Sequence, residues 1–422
     1  MTPRAQAAAA LFAGVLLLQA PPALAQVDLI SRDVISGQAD LRLAASDGEK
    51  SWLDGGFGKT RYGGDGKGGW AGHADLASAD LIWRPALGFA LTAYVDAVVQ
   101  PGRETPVDLS EAFVQYKPLP RPGGLRWQLR AGLLYPDISM ENDGPGWTPT
   151  RTISPSAINA WVGEEAKVLA VEAMVAKRWD DQEVSATVAV FSHDDTSGTL
   201  LSWRGWAFSD IRSTAFGALP IPRVPKAHRP FTVQDYDSQS VDELDGRPGF
   251  YGRVEWRAPG GFTANLFYYD NAGDRTTLKD GQWSWDTKFW NLGLRYAPDE
   301  RTEFLAQAMT GRTVTGFLTP VGWRVAAGFD AAYLLASRKV GHDRLTARLD
   351  AFDVRDNTFV ALDNNNERGW AVTADWRHPI NTHLVMLVEA LHVDSNRPAR
   401  GYVYQAAQQA QTTLQTALKL SF

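Results

Sequence analysis

The sequence predicts an all-β chain closed into one transmembrane antiparallel up-and-down β-barrel of about sixteen strands, with short turns at one rim and long loops at the other. Three observations predict it. Apolar residues recur at every second position from Val34 to the last residue. The connections between these runs alternate between short and long, as they must when strands cross a membrane back and forth. After the first residues, no apolar stretch is long enough for a spanning helix, which needs roughly 20 residues.

The chain opens with Arg4, an apolar run from Ala7 to Leu18, and then Ala23-Leu24-Ala25, a small-residue cleavage signature. The reading is a signal peptide over 1–25 and a mature barrel over 26–422 that starts at Gln26. Cysteine is absent, which excludes disulfide frameworks and thiolate metal sites. Mean hydropathy is negative. A barrel produces that value because lipid-facing and lumen-facing residues cancel in a window average. The formal net charge of −6, without a basic block, argues against nucleic acid as a partner.

The runs fall near 34–44, 70–83, 88–99, 108–117, 125–134, 163–177, 183–193, 249–257, 261–270, 284–297, 301–312, 322–336, 342–354, 367–377, 382–394 and 410–422. Gly, Pro, Asn and Asp clusters separate them. Five short connections share a signature: Trp83-Arg84-Pro85, Tyr116-Lys117-Pro118, Trp256-Arg257-Ala258-Pro259, Tyr296-Ala297-Pro298 and Trp376-Arg377-His378-Pro379. An aromatic ring suits the boundary between hydrocarbon and headgroups, and Pro ends a strand because it cannot donate to the ladder. The five predict one girdle at the periplasmic rim. The long connections, 45–69, 135–162, 194–248, 271–283, 313–321, 355–366 and 395–409, would then be extracellular, with 194–248 the longest.

Within each run the faces split. Leu414, Thr416, Leu418, Leu420 and Phe422 lie on one face of the last run, opposite Gln411, Thr413, Gln415, Lys419 and Ser421. Leu345, Ala347, Leu349 and Ala351 likewise oppose Arg344, Thr346, Arg348 and Asp350. A soluble chain of this length would also contain strands apolar on both faces or some helices, and neither is evident here. Closure would pair every backbone group, as hydrocarbon requires.

The terminal Leu418-Lys419-Leu420-Ser421-Phe422 resembles the C-terminal signature of bacterial outer-membrane barrels, a final amphipathic strand ending in Phe that the barrel-assembly machinery reads. With the leader and the sixteen runs, the mature chain resembles the Gram-negative porin superfamily, and in detail the proteins labelled phosphate-selective porin O/P. The resemblance implies an outer-membrane protein in contact with lipid, passive diffusion of small hydrophilic solutes or ions, no cofactor, and a homotrimer. In such proteins the third external loop folds into the barrel. Here that loop is 135–162, with Glu141 and Asp143 near its start and Arg151 further on.

Alternation places Arg42, Lys117, Arg126, Arg130, Arg253, Arg295, Arg324, Arg344 and Arg348 inside, with Asp40, Asp80, Asp96, Glu111, Glu172, Glu255, Asp330, Asp350, Asp375 and Glu389. Opposite charges on facing walls would orient dipolar solutes. Arg42, Arg126 and Arg130 precede the third loop, so a basic wall facing Glu141 and Asp143 is expected. The competing expectation is that these charges pair in cross-strand ladders and act on the fold alone.

Other chemistry finds little support. The seven histidines show no zinc spacing, and neither a nucleophile elbow nor a phosphate-cradling Gly-rich loop is present. Asp363-Asn364-Asn365-Asn366-Glu367 has oxygen ligands but lacks the Gly and distant Glu of an EF-hand loop. The alternatives are an outer-membrane barrel enzyme, with its site assembled across strands, and a soluble secreted β-rich carbohydrate-binding protein. Ready solubility without detergent would identify the latter.

Overall fold

The computed structural model describes residues 29–224, 233–319, 322–358, 360 and 362–422, with side chains undescribed at 318, 319 and 322–324. The segment 1–25, expected as a leader, lies outside the described residues. Sixteen antiparallel strands form a closed barrel. They are β1 (Ile35–Ser46), β2 (Ala71–Trp83), β3 (Leu91–Val99), β4 (Val107–Tyr116), β5 (Arg126–Leu134), β6 (Val168–Trp179), β7 (Gln182–Ser192) and β8 (Gly249–Ala258). The second half comprises β9 (Phe262–Asp270), β10 (Asp286–Tyr296), β11 (Thr302–Thr319), β12 (Gly322–Val340), β13 (Asp343–Asp356), β14 (Glu367–Pro379), β15 (Leu384–Asn396) and β16 (Gln408–Ser421). Every strand pairs with its sequence neighbours, and β1 closes on β16 from Gln38↔Ser421 to Ser46↔Thr413.

The closure extends to the last residue. The Phe422 N–H donates to Gly37 O at 3.1 Å, and the Gly37 N–H returns a bond to Phe422 O at 3.2 Å. A Cβ at Gly37 would sit 2.6 Å from the Phe422 ring, so only glycine fits beneath it.

Outward positions are apolar and exposed, among them Leu43, Val171, Val188 and Leu334 at 62–65%. Such a surface would aggregate in water, whereas in a bilayer it meets hydrocarbon. Trp83, Tyr116, Trp256, Tyr296 and Trp376 stand at the short-turn ends of their strands. The protein is therefore a multi-pass outer-membrane barrel.

Two strands run longer than their sequence pattern. Residues 313–319 continue the β11–β12 ladder as far as the pair Thr319↔Gly322, so the expected loop over 313–321 is an error. Gly311 and Gly316 look like loop signals, but the ladder absorbs Gly316 in a register shift between Thr315 and Leu318, where its φ is +81°. The run expected from 163 begins at Val168, because a helix occupies the preceding residues.

The interior departs most from expectation. Inward positions of β7–β13 include Phe191, Tyr251, Phe267, Tyr269, Phe289, Phe329, Tyr333 and Phe352, all buried. Strand β9 is apolar on both faces from Leu266 to Tyr269, with Leu266 outside and Phe267 inside. The aromatic groups pack on helix α1 (Ala157–Glu165), every residue of which is buried inside the barrel. Trp161 lies 5.3 Å from both Phe289 and Phe329 and 6.0 Å from Trp206. An indole buried this completely contributes several kcal/mol by area alone.

Candidate pore constriction

The site is built by two connections that enter the barrel, residues 135–167 and the described parts of the second, 193–224 and 233–248. The first crosses the lumen and touches most of the wall. Its Asp137 accepts from Arg253 on β8 at 2.8 Å. Gln307 on β11 holds it from both sides, donating to Ile138 O at 3.0 Å and accepting from the Met140 N–H at 3.0 Å. The Pro145 carbonyl accepts from Gln38 on β1 at 2.9 Å. Thr150 O accepts from Arg377 on β14 at 2.7 Å. Glu389 on β15 takes the N–H groups of Ile153 and Ser154 at 2.7 and 3.0 Å, and Gln415 on β16 donates to Ser154 Oγ at 2.8 Å.

Arg348 on β13 is the central anchor. It is fully buried, pairs with Asp350 at 2.8 Å, and donates to the carbonyls of Ser154 and Pro155 at 2.7 and 2.9 Å. Asp350 in turn accepts from the Ala157 N–H at 3.2 Å, where an anion offsets the positive end of the α1 dipole.

The second connection packs above the first. Helix α2 (Thr199–Arg204) follows Gly198, which has no side chain to cap it. Glu165 at the end of α1 supplies the cap, accepting from the N–H groups of Gly198, Leu200 and Leu201 and from Trp161 Nε1 at 2.6 Å. Burial pushes the Glu165 carboxyl up to about 7. Burial also lowers the Lys59 ammonium to about 7, against the opposing pull of Glu367. Lys59 donates to Arg204 O at 2.9 Å and ties the first loop to this plug.

The expected basic wall takes a different form. Glu141 lies 3.7 Å from Arg348, and Asp143 pairs with Arg151 at 3.0 Å, so neither faces Arg42, Arg126 or Arg130. Arg42 is buried between Asp40 at 2.7 Å and Asp210 of the fourth loop at 2.8 Å. Arg130 pairs with Glu172 at 2.7 Å and Arg126 with Glu183. Arg253 also pairs with Glu255, and Arg295 with Glu303 at 2.6 Å. Arg344 reaches Glu303 at 4.0 Å, and Arg151 pairs with the same carboxylate.

Several assignments change. Asp330 faces outward midway along the long β12, where it pairs with Arg355 near the extracellular end of β13, so a polar residue level with the rim of a neighbouring strand can belong to the headgroup side. Lys117 lies exposed just beyond β4 in a periplasmic turn. The Arg324 side chain lies outside the described residues. Asp363 to Asn366 form a polar turn tied to Asp356, which accepts from the Asn365 N–H at 2.8 Å. Glu367 is drawn instead to Lys59, and it accepts from the Trp206 N–H at 2.8 Å.

Sequence placed Arg257 and Arg377 only in the girdle signature and did not assign them or Glu303 to the lumen, although Arg257 shares its alternation with Arg253 and Glu255. In the periplasmic half the cations are the solvent-facing partners. Side-chain exposure is 44% for Arg126, 61% for Arg257 and 49% for Arg295, against 12%, 6% and 9% for Glu183, Glu255 and Glu303. Carboxylates facing the same space come from the third loop, Asp137 and Asp143.

No family model and no curated protein matches the sequence. Solved structures do. An anion-selective porin from Comamonas acidovorans superposes with a TM-score of 0.53 at 12% identity, covering 92% of this chain and 98% of that one. The outer-membrane channel DcaP of Acinetobacter baumannii gives 0.52 at 11% identity over 93% and 99%. This chain has a porin-like fold. A loop-deletion variant of the Vibrio cholerae outer-membrane protein OmpT gives 0.50 at 8% identity over 92% and 98%. At these identities the likeness concerns the fold alone.

Proposed function

We propose that the protein is a channel for passive diffusion of small hydrophilic solutes, that it favours anions, and that residues 135–167 set its constriction. The observation that carries the reading is the exposure of Arg126, Arg257 and Arg295 over buried partner carboxylates. A wall with guanidinium outermost concentrates anions and repels cations in a low-dielectric cleft. The proposal extends to the phosphate-selective porin O/P group, which would put an oxyanion among the solutes. The same proposal includes export behind the 1–25 leader, assembly through the strand ending at Phe422, a homotrimer, and no cofactor.

Reversal potential in a planar bilayer under a KCl gradient tests it. Anion preference is expected, and Arg126→Ala with Arg295→Ala should move the reversal potential toward zero. Both substitutions leave the acids paired, Glu183 with Arg257 at 3.4 Å and Glu303 with Arg151. Cation preference in the unaltered protein, or no change in the variant, would sink the reading.

A further inference from the structure

We propose that a groove on the lipid-facing wall binds one phospholipid of the periplasmic leaflet, with its acyl chains along the groove and its phosphate at Arg338. The groove has a volume of about 960 Å³ and is lined by β1 and β11–β16. Its floor is a row of small outward residues in direct register: Ala336↔Ala347, Ala347↔Ala374 and Ala374↔Ala390. Phe304, opposite Ala336, bounds one end, and Leu414, opposite Ala390, bounds the other.

Five strand spacings separate those two ends, about 24 Å at the usual inter-strand distance. Half of a bilayer with its headgroups measures about 20 Å, so one lipid matches the groove in length. Strands tilt by roughly 40°, so a row perpendicular to them climbs through the membrane. The groove therefore runs from the periplasmic boundary, at Phe304 and Arg338, toward the bilayer interior.

The charge at the lower end selects the occupant. Arg338 lies two residues from the periplasmic end of β12 and is exposed, and its Nη1 donates to Thr302 Oγ1 at 3.1 Å. Among the described residues no carboxylate lies within ion-pair distance of it. Asp299, in the adjoining turn, accepts from the N–H groups of Arg301 and Thr302, both at 2.7 Å. Arg355, also on the outer face, is neutralised by Asp330 and by Asp353 at 2.7 Å. An open guanidinium at the headgroup level beside an apolar trough fits a phosphate with its hydrocarbon attached.

The test is the phospholipid content of the full protein extracted from membranes in mild detergent, read by native mass spectrometry and phosphate assay. One phospholipid per chain is expected. Ala347→Phe with Ala374→Phe should lower it at least fivefold, and Arg338→Ala several-fold, with recovery in Arg338→Lys. Conductance and heat-modifiable migration should be unchanged, since none of these residues faces the lumen. Should the double variant fail to fold, the Arg338 pair decides alone. Equal lipid content in all variants overturns the site, as does loss of chain association at constant lipid content, which would give the groove to a second copy.

Discussion

The two halves of this lumen are built by different chemistry on one set of strands. Toward the extracellular side, inward positions are aromatic and close on α1 and α2 as a soluble core closes, with Trp161 and Trp206 fully buried. Toward the periplasm, inward positions are arginine over carboxylate, and the guanidinium groups face open space. A barrel wall thus serves as a packing surface where loops cover it and as an electrostatic surface where water does. The first half should govern how much passes and the second which charge passes.

Trp161→Ala is the strongest way to break that division. Emptying the site among Phe289, Phe329 and Trp206 should cost about 3–5 kcal/mol in plug stability. The expected outcome is a larger and noisier single-channel conductance, a lower temperature of heat-modifiable unfolding, and an unchanged reversal potential. A changed reversal potential with unchanged conductance would mean that the packed half also selects by charge.

Arg348→Ala attacks the seam between the halves. It removes the donor to Ser154 O and Pro155 O and leaves Asp350 and Glu141 without their cation. Unpairing a buried charge costs about 3–5 kcal/mol, and the lower end applies because Asp350 keeps the Ala157 N–H. Protease sensitivity of residues 135–167 should rise, and brief closures should appear in current traces. A protected loop in this variant would show that Glu389 and Gln415 hold the crossing without Arg348.

How much of this was legible depended on what covered each face. The strands were readable because lipid imposes alternation, as in β16, where Leu414, Leu418 and Leu420 face out. Alternation cannot distinguish lipid from a protein plug, so the inward Phe267, Phe289 and Phe329 passed unnoticed beside outward Leu266 and Trp290. The same blindness put Asp330 inside, because polarity was equated with water in the lumen rather than at the headgroup rim. The arginines of the periplasmic half were readable one by one, but their partners on the loops, Asp137 and Asp210, were not. Those pairs are set by how the loops fold back, and nothing in strand spacing encodes that.

The subtlest test concerns pH in the packed half. Glu165 holds its proton up to about pH 7 because burial disfavours the carboxylate. A carboxyl whose folded pKa is raised above its ordinary 4.5 favours the folded plug fully below pH 4.5, and that contribution is lost as pH rises through 7. Lys59 works in the opposite direction. Its lowered pKa penalises the plug at pH 7 and below, and the penalty lifts as pH rises from 7 toward 10.5. Comparison with Glu165→Gln separates the two, because the amide can still cap α2 but cannot titrate. Amide hydrogen exchange at Leu200 and Leu201, corrected for intrinsic rates, should speed up between pH 5 and pH 8 in the unaltered protein. The effect should be on the order of 1 kcal/mol, and it should flatten in the variant. Equal pH slopes in both proteins would place the titrating group elsewhere and leave α2 held by its packing alone.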